Sequence, residues 1–317
     1  MEYLTLGNSD LQVSRLCMGG CPMGGYGWGA VREQELIDAV HGALECGVTF
    51  FDTADTYGLG QSERILGKAL GNRRSEAVIA TKFGVRVENG RTFYDNSPEY
   101  MRRACRESLR RLNTDCIDLY QVHYRDGVTP MGEVVQTFLE LREQGLVRFL
   151  GLSNLRAEDL AEISAFPGMF VSVQNQYSLA FRDLERDLML LQEQAGLTPM
   201  TWGSLGQGIL TGKYGADAVF GSDDRRSREI YTNFHGEKLA RNLQIVETMR
   251  PIAQAHGVSL AAVAVRFILD RLPSSVVLCG AKRPAQIADS ASGLDWHLNE
   301  EELATLLSAA SGAASGR

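Results

Sequence analysis

Short runs of β-branched and aliphatic residues alternate with longer segments whose apolar positions recur every three to four residues. Eight short runs read as strands: residues 15–18, 49–52, 77–81, 117–122, 149–152, 171–174, 199–202 and 275–279. Several are nearly continuous in apolar residues, as strands buried on both faces should be. The segment 32–46 carries Leu36, Val40, Ala43 and Leu44 on one stripe and stops at Gly47, a good residue for leaving a helix. Ser97-Pro98-Glu99 opens another helix, with a serine cap, proline at the first helical position and an acid in the first turn. The segment 132–144 repeats the pattern and ends at Gly145.

Strands alternating with helices, without internal repeats or a Pro/Ser-rich linker, predict one α/β unit over residues 1–317, a (β/α)8 TIM barrel. Most gaps between strands suit a single crossover helix. The gap from Trp202 to Cys279 is longer. It holds a polar, irregular insert at 215–236, after the seventh strand, expected to act as a mobile lid. Residues 2–13 read as an N-terminal β-hairpin around Gly7-Asn8 that plugs one end of the barrel.

Composition narrows the function classes. The 317 residues, 44% of them hydrophobic, can bury a core without disulfides. A net charge of −7 argues against nucleic acid or an anionic membrane as partner. No run approaches ~18 apolar residues, and the start MEYLTLGNSD lacks a signal-peptide pattern. Six cysteines without a CxxC fit reduced thiols in the cytoplasm, and five histidines without an HExxH give no metal site. The 33 glycines are an excess that implies tight turns or backbone brought close to a ligand.

In such a barrel the C-terminal strand ends form the active-site rim. Those positions hold Asp52, Lys82, His123, Ser153-Asn154 and Gln174-Asn175, and Tyr57 follows Asp52 in the loop DTADTYG. An acid, a lysine, a histidine and a tyrosine on one rim suit proton transfer at a carbonyl. A lysine cation beside the phenol is expected to lower its pKa, with Asp52 holding the lysine charged. His123 would polarise the carbonyl oxygen. The hydride must come from a cofactor, because no side chain supplies one. No Rossmann fingerprint is present: GLGQSE at 58–63 and GSLGQG at 203–208 misplace the glycines. A dinucleotide would have to bind on barrel loops.

The ordered set FFDTADTYGLGQSE, VIATKFG, IDLYQVHY, FLGLSN, VQNQYS, WGSLGQGILTGKY and CGAKRPAQIADS resembles the aldo-keto reductase superfamily across essentially the whole chain. RLNTDCIDLYQVH, YDNSPEY and GAKR look closest to bacterial reductases of the inositol-utilisation and general-stress type. The resemblance implies a catalytic tetrad of Asp52, Tyr57, Lys82 and His123, with Tyr57 as general acid/base, and NADP(H) bound in extended form. It implies that Ser153, Asn154 and Gln174 hold the nicotinamide carboxamide. Trp202 would stack on the ring where the family usually has tyrosine. Gly20 and Cys21 would join Asp52 near the nicotinamide, with Gly203, Ser204, Leu205, Gly206, Gln207, Gly208 and Lys213 along the pyrophosphate. Gly280, Ala281, Lys282, Arg283, Gln286, Asp289 and Ser290 match the segment around the adenosine 2′-phosphate, and the two cations favour NADP over NAD.

The substrate implied is a small carbonyl or alcohol, an aldehyde or ketone such as a sugar, an inosose or another polyol-derived carbonyl. Cys21, Met23, Tyr26, Trp28, Phe83, Tyr124 and the 215–236 insert are expected to line its pocket, with Arg125 favouring polyols. Two other readings remain open on the sequence: a non-catalytic NADP(H)-binding redox-sensing module, and a lyase forming a Schiff base on Lys82.

Overall fold

The structure, a computed structural model, describes residues 1–29 and 31–311. A hairpin of β1 (Tyr3–Thr5) and β2 (Gln12–Ser14) precedes β3 (Leu16–Gly19), β4 (Phe50–Asp52) and β5 (Val78–Phe83). A second hairpin follows, β6 (Val85–Glu88) and β7 (Arg91–Tyr94). Then come β8 (Ile117–Val122), β9 (Val147–Ser153), β10 (Phe170–Gln176), β11 (Thr198–Trp202) and β12 (Val276–Gly280). The strands β3, β4, β5, β8, β9, β10, β11 and β12 pair in parallel and close into a barrel, with β12 against β3. All eight expected strands are present. Five run further toward their C-terminal ends than the apolar runs implied, and in β5 and β9 the extension places Lys82 and Ser153 inside strands.

Helices surround the barrel: α1 (Glu33–Glu45), α2 (Gln61–Leu70), α3 (Pro98–Leu112), α4 (Met131–Glu143), α5 (Leu160–Ser164), α6 (Glu185–Ala195), α7 (Gly236–His256), α8 (Leu260–Arg271), α9 (Pro284–Ala291) and α10 (Glu300–Ser311). The Ser97 hydroxyl accepts from the Tyr100 amide and starts α3, as its sequence implied. α4 turns Val134, Val135, Phe138 and Leu141 to the core. None of the described helices is singly long and apolar enough to cross a membrane.

The N-terminal hairpin closes the barrel's base. Leu6, Leu11 and Val13 are buried against Cys17, Phe50, Ala80, Leu119, Val171 and Met200 inside the barrel. Gly7 has φ +45°, and a Cβ there would lie 2.6 Å from the Val171 carbonyl oxygen, so the hairpin tip fits only without a side chain. The hairpin β6–β7 was not anticipated. Its Asn89-Gly90 turn, both residues at positive φ, carries the signal in hindsight.

The long gap after β11 holds the insert and two helices, α7 and α8. The insert crosses to the loop after β3. Arg225 N donates to Gly27 O at 2.9 Å, and Tyr231 packs edge-on against Trp28. Tyr214, Phe220 and Phe234 gather around the Arg226 guanidinium.

Candidate active site

The parallel register brings the polar strand ends to one rim. Asp52 ends β4, Lys82 is next to last in β5, His123 follows β8, Ser153 ends β9, and Gln174 lies in β10 opposite Ser153. Lys82 and Asp52 are both buried, and a lysine can be buried only with partners. Lys82 Nζ has three: Asp52 Oδ1 at 2.5 Å, Thr53 O at 2.8 Å and Tyr57 Oη at 3.4 Å. Every ammonium hydrogen therefore has an acceptor, which leaves no free amine for a Schiff base.

The other Asp52 oxygen, Oδ2, accepts from Gln174 Nε2 at 2.8 Å and Gln121 Nε2 at 3.0 Å. Gln121 was missed by the sequence reading. It lies beside Lys82 across the β5–β8 pair, and a single amide within IDLYQV gave no sign of its partner. The Gln174 amide nitrogen, expected to face the cofactor, is turned to Asp52 and Gln121 instead.

Tyr57 is carried on the loop after β4. Gly58 is at φ +60°, and a Cβ on it would lie 2.1 Å from Gly24 O, so this loop packs backbone to backbone against the turn after β3. Burial, with Cys21, Asp52 and Tyr124 nearby, holds the Tyr57 phenol well above its ordinary range, and Arg225 pulls weakly the other way. The expected lowering by Lys82 is overturned: Asp52 at 2.5 Å cancels the ammonium's field, leaving the cost of a buried phenolate dominant. Tyr57 is thus held protonated.

The His123 ring meets Tyr57 edge-on at 5.8 Å and stacks on Tyr124 at 5.1 Å. Burial, aided by the Lys82 cation, pushes its imidazole well below the usual histidine range, so it is neutral. A neutral imidazole beside a protonated phenol offers two hydrogen-bond donors to one oxygen.

The expected cofactor residues fall around this core in three groups. Gly20 N donates to Asp52 O at 2.6 Å, and Cys21 Sγ lies 3.3 Å from Trp28 Nε1. Ser153 Oγ donates to Gln174 O, while Asn154, at φ +59°, donates to His123 O at 2.9 Å. Trp202 is half-buried at the end of β11. Beyond it Gly203, Gly206, Gln207 and Gly208 all have positive φ, a backbone path that brings amides close to the rim. Leu205 precedes this kink, and the buried Ser204 hydroxyl is turned to Thr201 O.

The third group is cationic. Burial lowers the Lys282 amine, and Arg226, Lys213 and Arg283 lower it further, so three cations lie around Lys282. Lys282 Nζ donates to Trp28 O at 2.8 Å. Arg226, which the sequence reading did not single out, pairs with the buried Asp224. Arg283 precedes the first residue of α9, its side chain near Glu35. Gly280, Gln286 and Asp289 are exposed beside these cations, while Ala281 and Ser290 are buried. Ser290 donates to Gln286 O rather than facing the groove.

Three expected pocket residues are placed elsewhere. Phe83 is fully buried and stacks on Tyr120, Met23 is core, and Arg125 is taken by Glu162 and Thr129 O. Tyr26, Trp28 and Tyr231 do gather at the mouth, with the Arg225 guanidinium 4.7 Å from the Tyr26 ring.

Comparison with known proteins agrees with this geometry. The model of the aldo/keto reductase family matches residues 15–310. Aldo-keto reductase YhdN of Bacillus subtilis is 32% identical, over 95% of this chain and 91% of its own length. The NADH-specific methylglyoxal reductase of Escherichia coli is 30% identical over 97% of both chains. The structure of a glycerol dehydrogenase from Gluconobacter oxydans superposes with a TM-score of 0.89 at 30% identity, covering 99% of this chain and 97% of that one. An enzyme with this barrel, these relatives and this rim belongs to the aldo/keto reductase family.

Proposed function

We propose that the protein is a cytoplasmic NADP(H)-dependent reductase that converts a small aldehyde or ketone to its alcohol, and that residues 1–317 act as one barrel unit. The carrying observation is the contact of Lys82 with both Asp52 and Tyr57 in a buried site. Bound nicotinamide would supply the hydride. The residues present fit such a group: a kinked, glycine-rich backbone at 203–208 for a pyrophosphate, and a cluster of four cations for a further phosphate.

The substrate oxygen would lie between Tyr57 and His123. His123, neutral, donates a hydrogen bond that polarises the carbonyl. Tyr57, held protonated, gives its proton to the oxygen as negative charge develops there. Lys82 stands 3.4 Å from the phenolate left behind, and Asp52 keeps the ammonium fixed and charged. Asp52 is fixed in turn by Gln121 and Gln174. Ser153 and Asn154 line the wall expected to hold the nicotinamide carboxamide, and Trp202 offers a flat face to the ring.

The aromatic mouth of Tyr26, Trp28 and Tyr231 suits compact carbonyls with an apolar face, and Arg225 suits those bearing oxygen substituents. Methylglyoxal, glyceraldehyde and inososes are therefore the first compounds to try. Consumption of NADPH, then NADH, across that panel tests the reading. Tyr57→Phe should abolish turnover while NADPH binding stays within about twofold. Persistent turnover in that variant would remove Tyr57 from the role of acid.

A further inference from the structure

Midway between Asp52 and Tyr57 lies a carboxyl that the mechanism does not use. Asp55 Oδ2 is 2.9 Å from the Tyr100 hydroxyl, and that hydroxyl is 3.0 Å from Val85 O. A phenol has one hydrogen, and a backbone carbonyl only accepts. Were Asp55 ionised, both neighbours of the hydroxyl would be acceptors, and one contact would set lone pairs against each other. A protonated Asp55 completes the chain: its O–H donates to Tyr100, and Tyr100 donates to Val85 O. Asp55 Oδ1 is buried without a partner, which costs a neutral carbonyl oxygen far less than a carboxylate oxygen.

The charged neighbours leave that proton in place. On α2, Glu63 accepts from Thr81 at 2.6 Å and from Arg111 of α3 at 2.5 Å, so the nearest cation is already matched. Arg86 of β6 and Arg103 of α3 face the Tyr100 ring, and Arg86 is paired with Asp95 and Glu88. On β5, Lys82 is held by Asp52. Tyr120 of β8 and Cys105 of α3 complete the surroundings, both kept neutral by burial. Burial and the Glu63 charge push the Asp55 carboxyl up to about 7, against the pull of Tyr100, Arg111 and the Thr56 amide.

We propose that Asp55 is a positioning residue: protonated, it ties the Tyr57 loop through Tyr100 to Val85, and its ionisation takes the single Tyr100 hydrogen for itself and frees the chain from Val85. The loop's inner side is held by Lys82 Nζ on Thr53 O and by Tyr57 N on Ala54 O. The Asp55–Tyr100–Val85 chain is its outer fastening. The kinetic consequence rests on the reductase reading above, whereas the proton on Asp55 does not.

Two measurements on the full-length protein separate them. Infrared difference spectra titrated between about pH 5 and 9 should show a protonated-carboxyl C=O band that fades near neutrality and is missing in Asp55→Asn. Asparagine mimics the protonated acid, donating to Tyr100. Asp55→Asn should keep kcat at neutral pH within about threefold and lose the alkaline inflection, beyond which wild-type kcat falls about tenfold per pH unit. Tyr100→Phe should lower kcat at every pH with KM little changed. Absence of a titrating band overturns the proposal, as does an inflection retained in Asp55→Asn. A band that behaves as expected in a protein that reduces no carbonyl upholds the proton on Asp55 and overturns the reductase reading alone.

Discussion

Trp202 Nε1 donates to Asn154 Oδ1 at 3.2 Å, joining the end of β11 to the loop after β9 across the β10 end between them. The indole expected to stack on the nicotinamide is therefore aimed by the amide expected to grip that ring's carboxamide. Trp202→Phe keeps an aromatic face but frees Asn154. A lost hydrogen bond of about 1 kcal/mol weakens NADPH binding roughly fivefold. Fluorescence titration measures this, and an unchanged Kd would show that the bond aims nothing.

The buried Lys82–Asp52 pair sets up a test that separates stability from catalysis. Lys82→Met leaves Asp52 buried without its counter-ion, a change that typically costs about 3–5 kcal/mol. The double variant Lys82→Met, Asp52→Asn removes the stranded charge, so urea denaturation should show most of that stability restored while turnover stays absent. Recovery of turnover in the double variant would contradict the support that Lys82 lends Tyr57.

Cofactor choice is the role given to the cations around Lys282. Lys282→Gln with Arg283→Gln should raise the Kd for NADPH by on the order of tenfold or more and leave that for NADH nearly unchanged. The effect should shrink as salt is added. Equal losses for both cofactors would mean that these side chains meet a phosphate the two share.

Asp55 also links stability to pH. Its carboxyl is raised from 3.8 in the free state to about 7 in the fold, so between those values the folded chain binds more protons than the unfolded one. Its contribution is then fully present below about pH 4 and is lost as pH rises through 7, up to about 4 kcal/mol in all. Urea midpoints of wild type and Asp55→Asn should agree only below about pH 4, diverge steadily between about pH 4 and 7, and stay apart above that, with the variant the more stable. Parallel midpoints across that range would place the titration elsewhere.

The barrel was legible in the sequence because parallel strands covered on both faces must be apolar almost throughout, and such runs are short and distinct. Asp52, Lys82 and His123 were legible for the complementary reason: charge or polarity at the end of an apolar run has to face something. What a side chain faces was harder to read. Gln121 and Gln174 meet at Asp52 only because β8 and β10 curve round the same axis, and neither run records that curvature. The Tyr57 phenol shifts opposite to expectation because the sequence names its cation but not the depth of burial or the matching of that cation by Asp52. Phe83 follows Lys82 in β5 and strand alternation turns it to the wall, while Met23 and Ser290 lie on helical turns and face the core.

The ring of strands is sealed where Val277 N meets Arg15 O, and the Arg15 side chain clasps Ser275 O and Leu269 O across the same seam. One partner in that seam is made at the start of synthesis and the other near its end. A ribosome-bound chain therefore exposes β3 as an unpaired edge until β12 emerges, and every intermediate is an open sheet prone to capture by a stray strand. Sealing is also the most distant strand pairing in the barrel, so folding speed should depend on this seam more than on any local helix. A chain ending before residue 276 would keep its polar rim residues and have no ring to hold them.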